Sequence, residues 1–151
     1  MSDGDFIDSN IFVYLVDPND PAKRRTAEDL ISAALERGSA SISFQVVQET
    51  LNVMTRKLQT VVTMDDARRF LAEVLMPLCR IMPTQGLYER ALDVQARHRY
   101  SFYDSLIIAA ALMAGCARLY SEDLQHGQRI EGLTIENPFA RGVVKPGVRA
   151  N

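Results

Sequence analysis

Phe6-Ile7-Asp8-Ser9-Asn10-Ile11 turns from apolar to polar and back within six residues, and this stretch decides how the chain is expected to fold. Residues 5–7 predict a buried strand that stops at Asp8, and residues 11–16 predict a brief helix behind it. A strand that passes directly into a helix is the first half of an α/β unit, and the rest of the chain continues the alternation.

Further strands and helices follow at regular intervals. The predicted strands cover residues 40–43, 78–82, 118–120 and 133–135. The predicted helices begin at Asp20-Pro21, after residue 43, at the Thr63 to Asp66 capping box and at Thr84, the third of them stopping at Pro77. Residues 106–113 are apolar on every side and are expected deep in the core. The pattern predicts an α/β protein, a three-layer α/β/α sandwich with a central, mainly parallel sheet.

Length and composition favour one domain. The chain has 151 residues, of which 47% are hydrophobic, enough for a single core. We expect that domain to span residues 1–139, followed by a loosely held C-terminal tail at 140–151 that is rich in Gly, Val and basic residues. The acidic start of the chain and the lack of a long apolar run predict a cytoplasmic protein with no membrane contact.

The charge and the cysteines limit the kinds of chemistry that are expected. A net charge of −2 argues against a protein that coats nucleic acid by bulk electrostatics, so any RNA contact has to be local. Four short basic groups could supply it, although charged runs on helices are more often solvated faces: Lys23-Arg24-Arg25, Arg56-Lys57, Arg68-Arg69 and the Arg97/Arg99 pair. Cys79 and Cys116 lack metal-type spacing and are expected to be reduced core thiols.

Four acidic side chains fall where a parallel sheet gathers its loops. Asp8 and Asp123 follow predicted strands, Asp104 opens the buried helix, and Glu49 lies in the second turn of its own helix. Crowded carboxylates repel one another unless a cation neutralises them. Mg²⁺ or Mn²⁺ suits such oxygen ligands, and one or two such ions would suit phosphodiester hydrolysis.

Each acid also has a purely structural interpretation. Asp8 would cap the helix that follows it, and Asp104 would complete a capping box with Ser101. Glu49 would be a surface glutamate. The last loop offers two rivals for any metal role, Glu122 and Asp123. The positions taken singly leave both interpretations open.

Several motifs taken together resemble those of PIN-domain nucleases, and among these the VapC-type toxins. They are Phe6 to Ile11, Val47-Gln48-Glu49-Thr50-Leu51, Tyr103 to Ala111, Leu119-Tyr120-Ser121-Glu122-Asp123-Leu124 and the closing segment Gly132 to Phe139. The resemblance covers about residues 5–139 in order and spacing, so that residues 1–139 would form a PIN-like nuclease domain.

The resemblance implies a site and a function. The metal-binding and catalytic acids would be Asp8, Glu49, Asp104 and Asp123, supported by Ser9, Asn10 and Ser121. Ser9 stands where the family more often has threonine and keeps the hydroxyl. The activity would be that of a metal-dependent endoribonuclease toxin cutting a structured RNA, tRNA or rRNA. Its partners would be a VapB-type antitoxin and a second copy of the chain in a homodimer.

The sequence can also be compared with the requirements of two other functions. A catalytically silent PIN-like protein-binding module would keep the acids for structure alone. A phosphatase of the haloacid dehalogenase type, with Asp8 as nucleophile, would need a second Asp where Asn10 stands. His126 is expected to be a loop residue, neither His126 nor His98 is expected to be catalytic, and Tyr103 is expected in the core rather than against a base.

Overall fold

The structure is a computed structural model and describes residues 4–140. A six-stranded sheet forms its centre. The strands are β1 Gly4–Ile7, β2 Ala40–Ser43, β3 Cys79–Ile81, β4 Cys116–Tyr120, β5 Arg129–Ile130 and β6 Leu133–Glu136. Their order across the sheet is β3-β2-β1-β4-β6-β5, and every neighbouring pair is parallel except β5 with β6. The predicted tail lies outside the described residues, apart from Ala140.

Helices connect the strands and flank the sheet, which confirms the predicted α/β class. They are α1 Ser9–Val16, α2 Pro21–Arg37, α3 Phe44–Arg56, α4 Met64–Phe70, α5 Met76–Leu78, α6 Gln85–His98 and α7 Phe102–Met113. Asp20, Thr63 and Thr84 cap their helices through side-chain oxygens, as their positions predict. In the described part of the chain, no helix is long and apolar enough to span a membrane.

Two local predictions are wrong. The helix that begins after Thr63 was expected to stop at Pro77, yet it continues through a π-helical turn, Leu71–Leu75, into α5. Pro77 lies one residue before the end of α5, so few helical hydrogen bonds are lost there. Strand β5 was not predicted at all, because two residues are too few to show an alternating pattern.

The core lies between the sheet and the helices. Phe6 and Ile7 of β1 are fully buried, and so are residues 105–111 of α7, on every face, as their apolar pattern predicts. Cys79 and Cys116 are both free thiols, as expected, but only Cys116 is buried in the core, whereas Cys79 on edge strand β3 is partly buried. Asp104 lies in the first turn of α7, and the buried remainder of this helix therefore determines its position.

The strand order places a topological switch between β1 and β4. From β1 the chain proceeds to β2 and β3 on one side, and it later returns to add β4, β6 and β5 on the other side. In open α/β sheets, ligands bind beyond the carboxyl ends of the strands at such a switch, because the loops there diverge and leave a crevice. Asp8 follows β1 and Ser121 follows β4 at this point.

Candidate active site

Asp8 lies at the base of the crevice and is almost completely buried, with 7% of its surface exposed. Its Oδ1 accepts a hydrogen bond from the Ser9 N–H at 2.7 Å, and its Oδ2 accepts one from the Ser121 hydroxyl at 2.8 Å. Burial raises the pKa of Asp8 to about 6; the bonds from Ser121 and Ser9 oppose that rise, and the charges of Glu49 and Asp123 add to it. Asp8 therefore caps α1, as one interpretation held, and also faces two further acids.

Glu49 is joined to Asp8 by one hydroxyl. The Ser9 Oγ lies 3.2 Å from Glu49 Oε1 and 3.5 Å from Asp8 Oδ1. The other oxygen of Glu49 accepts a hydrogen bond from Gln45 Nε2 at 3.3 Å, and the same amide donates to the carbonyl of Tyr103 at 3.1 Å. Gln45 is buried and links α3 to the start of α7, so it helps to set the distance between Glu49 and Asp104.

Asn10 holds the loop that carries Asp123. Its Nδ2 donates to Asp123 Oδ2 at 3.1 Å, and its Oδ1 accepts the Glu122 N–H at 3.2 Å. The Asp123 N–H in turn donates to Ser121 Oγ at 3.3 Å. Asn10 stands where a phosphatase of the haloacid dehalogenase type would need its second Asp, and its amide instead holds the loop of Glu122 and Asp123.

Glu122, the rival acid of this loop, is already paired. Its carboxylate contacts Lys23 Nζ at 2.5 Å and accepts a hydrogen bond from the Tyr14 hydroxyl at 2.7 Å. The Lys23 ammonium also lies over the Tyr14 ring, 4.9 Å from its centre. Because Lys23 neutralises Glu122, Asp123 is the unpaired acid of the loop among the described residues, and it contacts Asn10 and lies near enough to Asp8 to raise its pKa.

Asp104 differs from the other predicted capping-box acid. At the start of α4 the box is complete, because the Thr63 N–H donates to Asp66 Oδ2 at 2.9 Å and the Asp66 N–H donates to Thr63 Oγ1 at 3.0 Å. At the start of α7 the Asp104 N–H donates to Ser101 Oγ at 3.2 Å, but within residues 4–140 the Asp104 carboxylate accepts no hydrogen bond. The structural interpretation of this acid is therefore only half correct, and its carboxylate is left available.

The structure brings most of the predicted site residues together. Asp8, Glu49 and Asp123 belong to one hydrogen-bonded network with Ser9, Asn10 and Ser121, whereas Asp104 reaches it only through the Tyr103 carbonyl and Gln45. In the part of the chain that the structure describes, no three His, Cys, Asp or Glu side chains lie close enough to hold one ion. Asp8, Glu49 and Asp123 are thus linked through shared hydrogen-bond partners without forming a ready-made three-ligand cluster among the described residues.

The oxygen atoms of the network are suitable ligands for a hard divalent cation. All are carboxylate, amide or hydroxyl oxygens, the ligands that Mg²⁺ prefers. Two buried oxygens at the start of α3, Ser43 Oγ and Gln45 Oε1, find no hydrogen-bond partner among residues 4–140. Buried polar atoms are nearly always paired, so an unpaired acceptor on a side chain that contacts Glu49 is consistent with a bound ion or its waters.

Three further predictions concern residues near the site. Tyr103 is 67% exposed, which contradicts its expected place in the core: the first turn of α7 stands clear of the sheet, and the ring packs edge to face on Phe102 instead. His126 lies in the loop after β4, and its Nδ1 accepts the Asn137 N–H at 3.0 Å. His98 is the last residue of α6, and Arg99 after it provides the left-handed C-cap. Neither histidine is hydrogen-bonded to the four acids.

The buried charge of Asp8 predicts a pH effect on stability. A folded-state pKa of about 6, against 3.8 for an unburied aspartate, means that the folded protein holds a proton which the unfolded chain releases between these values. The Asp8 contribution is therefore favourable at low pH and is lost as the pH rises from about 4 to about 6. In metal-free buffer at pH 7, Asp8→Asn should stabilise the protein by up to about 3 kcal/mol.

Urea unfolding of both proteins at pH 4.5 and pH 7 measures this difference. The free energy of unfolding of the variant should exceed that of the unsubstituted protein at pH 7, and the excess should shrink at pH 4.5. If the excess in free energy of unfolding does not change with pH, or if the variant is less stable at pH 7, the buried charge of Asp8 does not destabilise the folded protein.

The family model for the PIN domain matches residues 6–129. No match was found among curated proteins. Among solved structures, the chain is similar to VapC20 of Mycobacterium tuberculosis, a sarcin-ricin loop cleaving toxin, with 24% identity, a TM-score of 0.57 and coverage of 77% of this chain and 87% of the toxin.

Two other similar structures contain toxin–antitoxin assemblies. A toxin–antitoxin complex from Klebsiella pneumoniae gives 21% identity, a TM-score of 0.64 and coverage of 90% of this chain and 98% of the other. VapBC2 from Rickettsia felis, bound to promoter DNA, gives 18% identity, a TM-score of 0.58 and coverage of 88% and 97%. At these identities the likeness shows a shared fold, while the family match spans most of the sequence. The chain belongs to the PIN domain family.

Proposed function

We propose that this protein is a metal-dependent endoribonuclease, the VapC-type toxin of a toxin–antitoxin pair, which hydrolyses phosphodiester bonds in a structured RNA such as tRNA or rRNA. One observation carries the proposal: buried Asp8 is linked through Ser9 to Glu49 and through Ser121 to the loop of Asp123, at the switch point of the sheet. A purely structural role does not require three mutually repelling acids in one hydrogen-bonded network.

The chain's own residues would divide the work between binding and positioning. Asp8, Glu49, Asp104 and Asp123 would hold one or two Mg²⁺ or Mn²⁺ ions. A bound ion would lower the pKa of its water and stabilise charge on the phosphate. Because they hold the carboxylates in hydrogen bonds, the supporting residues Ser9, Asn10, Ser121 and Gln45 orient these ligands.

The proposed partners follow from the fold relatives. The Klebsiella pneumoniae and Rickettsia felis structures are toxin–antitoxin assemblies, so we propose a VapB-type antitoxin as the partner of this chain. A homodimer and a cytoplasmic location belong to the same proposal. The RNA target is proposed as tRNA or rRNA, and the sarcin-ricin loop activity of VapC20 supports the second of these.

A cleavage assay with defined metal content tests the function. Purified protein should cut total cellular RNA in Mg²⁺ or Mn²⁺, should stop in excess chelator, and should recover when Mn²⁺ is restored. The chelator arm also separates this activity from contaminating metal-independent ribonucleases. Undiminished cleavage in chelator would refute the metal requirement, and failure to cut any RNA with either metal would favour the silent binding module.

A further inference from the structure

One face of α3 leads away from the acids and changes charge along its length. Asn52, Val53, Arg56 and the C-cap residue Lys57 stand three, four, seven and eight residues after Glu49, so they lie on the same side of the helix. With a rise of about 1.5 Å per residue, Arg56 lies ~10 Å along the axis from Glu49. The face therefore begins in the acidic site and ends in two cations.

Two adjoining clefts follow the same path. One, of about 330 Å³, is lined by Asn10 and Asp123 at the acidic end and by Val53 and Lys57 at the other. The second, of about 290 Å³, is lined by Asn52, Val53, Arg56 and Lys57. Because Val53 and Lys57 line both clefts, the open surface runs from the acids to the cations.

The two cations at the end of this face are unpaired among residues 4–140. Within residues 4–140, neither the Arg56 nor the Lys57 side chain makes a hydrogen bond or ion pair, and both are exposed. The residues whose cations do form ion pairs there are Lys23, Arg24, Arg37, Arg68, Arg69, Arg90 and Arg118. The helix dipole favours a cation in the last turn, but it does not account for Lys57 lining the cleft that Asp123 also lines.

We propose that this face of α3 binds the sugar–phosphate backbone of the RNA on one side of the scissile bond, with Arg56 and Lys57 each contacting a phosphate. The proposal rests on the proposed ribonuclease function and names the path of its substrate. A chain with net charge −2 and an acidic site repels RNA unless cations lie beside that site. Asn52 can donate to phosphate or ribose oxygens between the two ends.

Cleavage kinetics at several salt concentrations test the path. Initial rates would be measured in Mn²⁺ over a range of concentrations of total cellular RNA, which contains tRNA and rRNA. For Arg56→Gln/Lys57→Gln, the KM should rise several-fold at low salt, and the dependence of log KM on log salt should become shallower by about 1.4, since each lost phosphate contact removes ~0.7. The charge-preserving variant Arg56→Lys/Lys57→Arg should retain the low KM and the steep dependence.

A matched control removes the same charge elsewhere. Arg80 of β3 and Arg129 of β5 are exposed on the two edge strands, so Arg80→Gln/Arg129→Gln should leave KM and its salt dependence unchanged. If both double variants behave alike, the α3 path is overturned while the ribonuclease function stands. If the unsubstituted protein cleaves no RNA, the proposed function fails and the path fails with it.

Discussion

Asp104→Asn is expected to reduce RNA cleavage by at least about a hundredfold, because loss of even an outer-shell partner of a metal ligand typically costs 10- to 100-fold and this residue is proposed as a ligand itself. The substitution preserves size, and the Asp104 N–H keeps its bond to Ser101. Because the carboxylate accepts no hydrogen bond within residues 4–140, the fold should not weaken. Cleavage rates and urea unfolding of the same preparation measure both effects.

Asp66→Asn is the matched control, since Asp66 holds the same place in the other capping box. There the carboxylate accepts the Thr63 N–H and contacts Arg69, so the substitution should lower the free energy of unfolding while cleavage stays unchanged. The two variants should therefore show opposite profiles. Retention of cleavage in Asp104→Asn would remove Asp104 from the site, and loss of cleavage in Asp66→Asn would make the assay a measure of stability alone.

Ile108→Ala is expected to cost about 2–5 kcal/mol of stability, since it leaves a cavity in a fully buried part of the core. Ile108 lies in the middle of α7, the helix that carries Asp104 on its first turn. Leu92→Ala, on the exposed side of α6, removes a side chain of the same size and should change stability by less than about 1 kcal/mol. Urea unfolding compares the two, and equal losses would mean that α7 is not the central helix.

Local sequence signals were enough for most of the fold. The apolar run before Asp8 predicted β1, the Asp20-Pro21 pair predicted the start of α2, and the uniformly apolar segment after Asp104 predicted a buried helix. These signals act within a few residues, where capping and hydrophobic periodicity determine the backbone. Strand β5 is only two residues long and pairs with β6 a few residues later, so no alternating pattern marks it.

The site was only partly predictable, because its supporting contacts join distant parts of the chain. Gln45 stands four residues before Glu49, a spacing that suggests a shared helix face, but its bond to the Tyr103 carbonyl crosses 58 residues. The pairing of Lys23 with Glu122 crosses 99 residues, and no local pattern marks it. The two capping-box motifs look alike in sequence, and only tertiary structure separates the complete box from the incomplete one.

We propose that four acids from separate elements form one site for a divalent ion. Mn²⁺ binding tests this proposal without knowledge of the RNA target. Electron paramagnetic resonance of free Mn²⁺ would be followed while the ion is added to the unsubstituted protein and to Asp8→Asn, Glu49→Gln, Asp104→Asn, Asp123→Asn and the control Asp66→Asn. We expect the unsubstituted protein and the control to bind Mn²⁺ equally, and each of the other four to bind at least about tenfold more weakly. Absence of Mn²⁺ binding by the unsubstituted protein, or equal binding by all six proteins, would contradict the claim.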